Sequence, residues 1–165
     1  MNYFIIIRGP LGVGKTTISK KLAEILRAEY VSIDKILEQH HLDPADPNQE
    51  SIPLSSYLKA QEIVFPFVTD VLSNGRIVIF DSCFYFKEEI EQLIKSLPFD
   101  HFVFTLKAPL DVCIIRDSKR DKVYGKEAAE AVHNMVSRFD YGQIINVDKD
   151  VDLVVKEMLS FLPIL

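Results

Sequence analysis

A glycine-rich turn near the start of the chain carries residue types that can hold a phosphate group. Residues 9–16, Gly-Pro-Leu-Gly-Val-Gly-Lys-Thr, match the spacing G-x-x-x-x-G-K-[ST]. The glycines let backbone N–H groups turn inward toward an anion, and a helix that begins near Lys15 directs its positive N-terminus at the same point. Lys15 can reach the β- and γ-phosphates of a nucleotide, and the Thr16 hydroxyl can bind Mg²⁺. This phosphate-binding loop therefore predicts a nucleotide site.

Two aspartates each follow an apolar run that is typical of a buried strand. Asp34 closes Tyr-Val-Ser-Ile-Asp, and Asp81 closes Arg-Ile-Val-Ile-Phe-Asp. Because ligands of parallel sheets lie at the carboxyl ends of the strands, both aspartates should point toward the phosphate-binding loop. We predict that Asp81 holds Mg²⁺ directly or through water, and that Asp34 is the base that accepts a proton from, or orients, an attacking hydroxyl. The alternative for each is a structural role, as the N-cap of the next helix for Asp34 and as a cap or turn for Asp81.

A concentration of positive charge lies in the second half of the chain. Five basic residues fall within eleven positions, interleaved with two aspartates: Arg116, Lys119, Arg120, Lys122 and Lys126. One interpretation is a solvated helix face whose ion pairs contribute little. The other, which we favour, is a mobile lid whose arginines close over a phosphoryl group and exclude water, since the planar guanidinium binds phosphate oxygens bidentately. Arg120 is then the catalytic arginine, and Arg116 lies at the hinge.

The elements that must position these residues alternate along the whole chain. Short apolar runs predict strands, and between them apolar residues recur at helical spacing. The predicted strands span residues 3–7, 30–33, 76–80, 101–106 and 143–147. This alternation predicts an α/β fold with a parallel sheet and helices on both of its faces. The 165 residues, without an evident linker, predict a single domain.

Composition narrows the classes of function. The formal net charge of −5 argues against a broad nucleic-acid-binding surface, so long nucleic acid is not expected as a partner. Cys83 and Cys113 are too few for a disulfide framework or a zinc cluster, and we interpret them as buried free thiols. No apolar run reaches the roughly 20 residues of a membrane span, and no secretory leader is recognised, so we expect a cytoplasmic protein without a membrane partner.

Four segments in this order resemble the small P-loop kinases of the nucleoside-monophosphate-kinase-like superfamily. They are Gly-Pro-Leu-Gly-Val-Gly-Lys-Thr-Thr, Ser-Ile-Asp, Val-Ile-Phe-Asp-Ser-Cys-Phe-Tyr and Leu-Lys-Ala-Pro-Leu-Asp-Val-Cys-Ile-Ile-Arg-Asp-Ser-Lys-Arg-Asp. The last is similar to the lid region of adenylylsulfate kinase, chloramphenicol phosphotransferase and polynucleotide kinase. Two features differ: no arginine follows shortly after Asp34, as is usual in polynucleotide kinases, and the Gly-Leu-Tyr lid element of adenylylsulfate kinases is absent.

The resemblance implies a P-loop NTPase fold, with a five-stranded parallel sheet in the order 2-3-1-4-5, and ATP with Mg²⁺ as the phosphoryl donor. It implies that residues about 35–73 form an acceptor-binding helical region and that residues about 116–127 form the lid. Lys15, Asp34 and Arg120 are the expected catalytic residues, and Thr16 and Asp81 the expected metal ligands. The expected nucleotide-binding residues are Gly9, Pro10, Leu11, Gly12, Val13, Gly14, Lys15, Thr16, Thr17 and Arg116.

The function expected from these observations is that of an ATP-dependent kinase that transfers the γ-phosphoryl group to a small molecule or a nucleotide. A polynucleotide or nucleoside 5′-hydroxyl kinase is the nearest alternative. A nucleotide-binding ATPase or regulatory switch without a small acceptor is the alternative from another class. The Asn-Lys-x-Asp element by which GTPases read guanine is absent from the sequence, which argues against a GTPase. The acceptor and the oligomeric state stay open.

Overall fold

The computed structural model describes residues 1–45 and 51–163. Five strands form in chain order, and each overlaps an apolar run that the sequence predicts as a strand: β1 (Tyr3–Arg8), β2 (Glu29–Ser32), β3 (Val78–Asp81), β4 (Asp100–Lys107) and β5 (Gln143–Asn146). β1 is buried along its whole length, as a strand covered on both faces should be.

The five strands make one sheet in which every neighbouring pair is parallel. Their order is β2-β3-β1-β4-β5, as the sequence resemblance implied. β1 lies in the centre, and its register pairs Ile7 with Asp81 of β3 and Arg8 with Thr105 of β4. The phosphate-binding loop leaves the carboxyl end of this central strand. The predicted α/β fold and its strand order are therefore confirmed.

Helices cover both faces of the sheet. The helices are α1 (Lys15–Leu26), α2 (Ile33–Gln39), α3 (Leu54–Ser73), α4 (Lys87–Ser96), α5 (Leu110–Ser118), α6 (Lys126–Val136) and α7 (Val151–Ser160). α1 and α7 pack on one face, against Ile5 and Ile7 of β1. α2, α3 and α4 pack on the other face, against Phe4 and Ile6 of the same strand. The alternation of side chains along β1 thus divides the core into two layers.

The segment around Asp34 differs from the prediction in one respect. The strand ends at Ser32, and Asp34 lies in the first turn of α2 rather than at the end of a strand. The N-cap of α2 is Ser32, whose hydroxyl accepts a hydrogen bond from the Lys35 backbone N–H at 3.4 Å. The proposed structural role of Asp34 as the N-cap is therefore wrong, and its carboxylate is available for other contacts.

Both cysteines are buried free thiols, as predicted. Among the described residues, no helix is long and apolar enough to cross a membrane.

Candidate active site

One large cavity opens along the carboxyl edge of the sheet, with a volume of about 850 Å³. The phosphate-binding loop forms one wall, from Leu11 to Thr17, while Gly9 and Pro10 are buried behind it and do not line the cavity. Asp34, Asp81, Arg116 and Arg120 also line it. The structure therefore brings the predicted catalytic, metal-binding and lid residues to a single cavity.

The phosphate-binding loop has the backbone that an anion cradle requires. Gly12 and Gly14 have φ values of 78° and 100°, in the left-handed region that favours glycine. A Cβ atom on Gly12 would lie 2.1 Å from the carbonyl oxygen of Cys113, so no side chain fits at this point. The loop runs directly into α1 at Lys15, which directs the N-terminus of that helix into the cavity. These features fit the phosphates of a nucleotide.

Lys15 lies at the centre of the cavity and contacts the loop itself. Its Nζ donates a hydrogen bond to the carbonyl oxygen of Pro10 at 3.0 Å. Burial alone would lower the pKa of Lys15, but the anionic groups beside it, Cys83 when ionised, Asp81 and Asp34, raise the pKa above its ordinary value. The ammonium group is therefore charged and available to an anion.

Asp81 is the centre of a small network of hydrogen bonds. Its Oδ2 accepts one from the Thr16 hydroxyl at 3.2 Å and one from the Tyr30 phenol at 2.6 Å. The two predicted metal ligands are thus adjacent, and they supply the oxygen donors that Mg²⁺ prefers. Within residues 1–45 and 51–163, no cluster of three His, Cys, Asp or Glu side chains could hold a metal alone. This fits Mg²⁺, which is usually held by one or two carboxylates together with substrate phosphates and water.

Asp34 lines the same cavity as the loop, and its side chain is open to water. Its Oδ1 accepts a hydrogen bond from the Ser82 hydroxyl at 3.4 Å. The surrounding protein raises the pKa of Asp34, and the opposite charge of Lys15 only partly offsets this increase. A carboxylate with a raised pKa is a better proton acceptor, so Asp34 has the properties of a general base.

Arg116 is held in place at the end of α5. Its guanidinium donates to the carbonyl oxygens of Val13 in the phosphate-binding loop, at 3.0 Å, and of Val147 after β5, at 2.9 Å. The side chain therefore links the loop to the far end of the sheet. This position agrees with a hinge for the segment that follows it.

The predicted lid, residues 116–127, begins in α5 and ends in the first turn of α6. The buried carboxylate of Asp117 accepts hydrogen bonds from the backbone N–H groups of Tyr124, at 3.1 Å, and Gly125, at 2.9 Å. It therefore ties the two ends of the intervening loop together. Arg120 lies on that loop, 3.9 Å from Asp117 and over the ring of Tyr124 at 5.4 Å.

Three side chains at this edge were missed in the sequence. Tyr30 was interpreted only as the start of a strand, and Asp117 only as part of a mixed-charge run. Arg8, the last residue of β1, is fully buried; its guanidinium donates to the carbonyl oxygens of Val136 at 2.9 Å and Phe139 at 3.0 Å. A charged residue directly between an apolar run and a glycine-rich loop is the one signal that could have identified Arg8.

The sequence matches a known family over most of its length. Residues 4–140 match the family AAA_33, which is described as an AAA domain. Over 98 residues the chain is 29% identical to the adenylate kinase isoenzyme 6 homolog of Schizosaccharomyces pombe, which covers 59% of this chain. The chain spans only about half (54%) of the length of that relative.

Solved structures share the fold at low sequence identity. The APS kinase of Mycobacterium tuberculosis, solved with AMPPNP and APS, superposes with a TM-score of 0.76 at 17% identity, covering 96% of each chain. A gluconokinase from Sinorhizobium meliloti gives a TM-score of 0.68 at 14% identity, covering 96% of this chain and 90% of the other. A protein from Chloroflexus aurantiacus gives a TM-score of 0.64 at 22% identity, covering 98% of this chain and 99% of the other. At these identities the likeness establishes the fold.

Proposed function

The chain belongs to the family AAA_33, and from that membership we propose that it is an ATP-dependent phosphotransferase whose acceptor is a small molecule or a nucleotide. The resemblance to P-loop kinases of the nucleoside-monophosphate-kinase-like superfamily is confirmed by the family match and the shared fold. One observation carries the proposal: the phosphate-binding loop, Arg120 and Asp34 line the same cavity. The space beside Asp34 that Leu37, Ile52 and Tyr57 line would hold an acceptor, which hydrolysis alone does not need.

The residues of the donor side fit ATP with Mg²⁺. Gly12, Gly14 and Lys15 would hold the phosphates, Thr16 and Asp81 would hold the metal, and Arg116 would border the nucleotide. When bound, Mg²⁺ would supply positive charge that offsets the negative charge developing on the transferring group. Lys15 supplies further positive charge at the same point.

Asp34 has the role of base in this proposal. It accepts the proton of an acceptor hydroxyl as that oxygen bonds to the γ-phosphorus, while the bond from this phosphorus to the ADP oxygen breaks. Arg120, on the lid (residues 116–127), binds the phosphoryl oxygens during transfer, and the lid excludes the water that would otherwise compete as acceptor.

The test is ADP release by the full chain with Mg²⁺ and ATP, measured with and without alcohols and nucleosides. We expect release that depends on the acceptor. Asp34→Asn should reduce transfer at least about hundredfold, since base catalysis contributes 10²–10⁴-fold. ATP binding, measured as the thermal stabilisation that a saturating ligand produces, should be retained.

The matched control is Asp70→Asn, an exposed carboxylate on α3 outside the cavity, which should leave transfer unchanged. Two results would contradict the proposal. ATP turnover that is independent of every acceptor would favour an ATPase or a switch. Full transfer by Asp34→Asn would remove Asp34 from the role of base.

A further inference from the structure

The cavity has two halves of different chemical character. The donor half comprises the phosphate-binding loop together with Arg116, Arg120, Lys122 and Lys149. The acceptor half is formed by α2, Asp43, Ile52 and the start of α3, together with the segment after β3. Its wall includes Asp34, Lys35, Glu38, Asp43, Tyr57 and Tyr85. Positive side chains therefore line the donor half, and carboxylates are prominent in the acceptor half.

The acceptor half has an excess of negative charge in its sequence as well. Residues 34–73 contain seven acidic residues and two lysines, and no arginine occurs between Arg27 and Arg76. Of the two lysines, Lys59 is exposed and does not line the cavity, and its Nζ lies 3.4 Å from Oε2 of Glu62. Among the described residues of the acceptor half, Lys35 is the one cation on the wall, and three carboxylates accompany it.

A phosphate, sulfate or carboxylate on an acceptor needs positive partners. Proteins usually supply them as arginines, whose guanidinium binds such groups bidentately. The acceptor half has no arginine, and each carboxylate on its wall repels an anionic group on the acceptor. The guanidinium of Arg116 cannot substitute, because it is engaged by the carbonyl oxygens of Val13 and Val147. The charges of Lys15 and Arg120 act on Asp34, and the proposed function assigns both residues to the transferring phosphoryl group.

The uncharged part of the wall fits the carbon skeleton of a small molecule. The rings of Tyr57 and Tyr85 meet edge to face, with centroids 6.0 Å apart, and Leu37 and Ile52 line the same half. Apolar and aromatic walls with a few polar groups are typical of small-molecule sites. Asp34 supplies the group to which an acceptor hydroxyl can give its proton.

We infer that the acceptor is a hydroxyl compound without an anionic group, either uncharged or cationic, and not a nucleotide, sugar acid or adenylylsulfate. The inference rests on the proposed phosphotransfer and narrows its acceptor. The acceptors of this chain would then differ from those that the names adenylate kinase, gluconokinase and APS kinase suggest for its relatives. Discrimination against anions is assigned to the carboxylates of the acceptor half, in particular Glu38.

The experiment compares acceptors that differ by an anionic group. ADP release by the full chain is measured with adenosine against AMP and with glucose against gluconate, and then with glucosamine, adenylylsulfate and a wider panel of alcohols. We expect the acceptors with the highest kcat/KM to be uncharged or cationic, and each anionic partner to be at least about tenfold poorer. A best acceptor that carries phosphate, sulfate or carboxylate would overturn the inference while leaving the phosphotransfer intact.

A second measurement tests the wall itself. Glu38→Gln should lower, by about fivefold, the ratio of kcat/KM for an uncharged acceptor to kcat/KM for its anionic partner. Glu62→Gln, which removes the same charge from an exposed position outside the cavity, should leave that preference unchanged. Equal preferences in both variants would show that Glu38 does not discriminate. If no compound increases ADP release although ATP binds, the proposed phosphotransfer fails and the inference fails with it.

Discussion

At the scale of single residues, the contact between Tyr30 and Asp81 determines how the candidate metal ligand is oriented. The Tyr30 phenol donates to Asp81 Oδ2 at 2.6 Å, on the same oxygen that accepts from Thr16. A carboxylate held by two donors keeps one orientation, which reduces the entropy lost when it binds a cation. Tyr30 is therefore a positioning residue in the proposed site.

Replacement of Tyr30 by phenylalanine should weaken metal binding without removing it. We expect Tyr30→Phe to raise the Mg²⁺ concentration for half-maximal ATP turnover about tenfold, because partners of metal ligands typically contribute 10- to 100-fold to affinity. The measurement is a Mg²⁺ titration at saturating ATP. Tyr3→Phe removes a buried hydroxyl of the central strand that has no hydrogen-bond partner among the described residues, and it should leave the Mg²⁺ requirement unchanged. An unchanged Mg²⁺ requirement in Tyr30→Phe would contradict the assigned role.

At the scale of elements, the lid presents Arg120 on a loop whose ends are fixed. Asp117 joins the two ends, and the Arg120 guanidinium extends from the loop toward the cavity.

Arg120→Ala should lower kcat about hundredfold, the usual loss when one donor to a transition-state oxyanion is removed, with ATP affinity within about threefold of the original. Lys119→Ala, at the neighbouring exposed position outside the cavity wall, is the control. A loss confined to ATP affinity would assign Arg120 to donor binding instead.

Arg8 connects the central strand to the helix that follows the lid. Its guanidinium donates to four groups: Phe84 O, Thr105 Oγ1, Val136 O and Phe139 O. Burial lowers the pKa of Arg8 to about 10, with the charge of Asp140 opposing this change, so the side chain remains charged at neutral pH. Two of the acceptors are carbonyl oxygens at or just beyond the C-terminal end of α6, where positive charge is favourable.

Loss of the Arg8 side chain should destabilise α6. Arg8→Met leaves the three carbonyl oxygens without this donor, whereas Thr105 Oγ1 still accepts from the Tyr141 N–H. We expect the free energy of unfolding to fall by about 3 kcal/mol. Denaturant unfolding measures the total effect, and hydrogen exchange of the α6 amides shows where it acts. Arg138→Met, at an exposed position two residues after α6, should have little effect. Equal stability of the two variants would contradict the assigned role of Arg8.

At the scale of the whole molecule, a buried acid makes stability depend on pH. Glu89 is fully buried on α4, and burial raises its pKa to about 8, although a hydrogen bond from the Phe86 N–H opposes the increase. Between the ordinary glutamate pKa and about 8, the folded chain holds a proton that the unfolded chain has lost. The contribution to stability is therefore complete below the ordinary pKa and decreases as the pH rises through 8.

Glu89→Gln should remove this dependence on pH. The amide cannot ionise, so relative to the original protein the variant should gain about 3 kcal/mol in free energy of unfolding between about pH 5.5 and about pH 8.5. The measurement is denaturant unfolding at both values. Glu88→Gln, the exposed neighbour on the same helix, should show no such gain. A parallel response of the two variants would mean that Glu89 is ionised in the folded protein across this range.

The sheet could be predicted because its signals are local. Each strand is an apolar run, and the phosphate-binding loop has a spacing that few other structures require. The order of the strands is not encoded in any local pattern; it came from the resemblance and is confirmed. The lid and acceptor region (residues 116–127 and 35–73) remain predictions as functional units, and part of the latter, residues 46–50, lies outside the described residues.

The contacts of Tyr30, Asp117 and Arg8 could not be predicted because their partners carry no sequence signal. Arg8 binds mostly backbone carbonyl oxygens, which every residue possesses. Tyr30 reaches Asp81 only because β2 and β3 are neighbours in the sheet. The sequence places Asp34 at the end of a strand, but β2 ends two residues earlier because Ser32 caps α2.

The long sequence separation between Arg8 and its acceptors has a consequence for folding during translation. The acceptor at Phe139 lies 131 positions after Arg8. At about 5–20 residues per second, the ribosome needs roughly 7–26 seconds to produce that stretch. Until then Val136 O and Phe139 O are absent, and the buried guanidinium would lack two of its four acceptors. We therefore expect native burial of the central strand to wait until most of the chain has been translated.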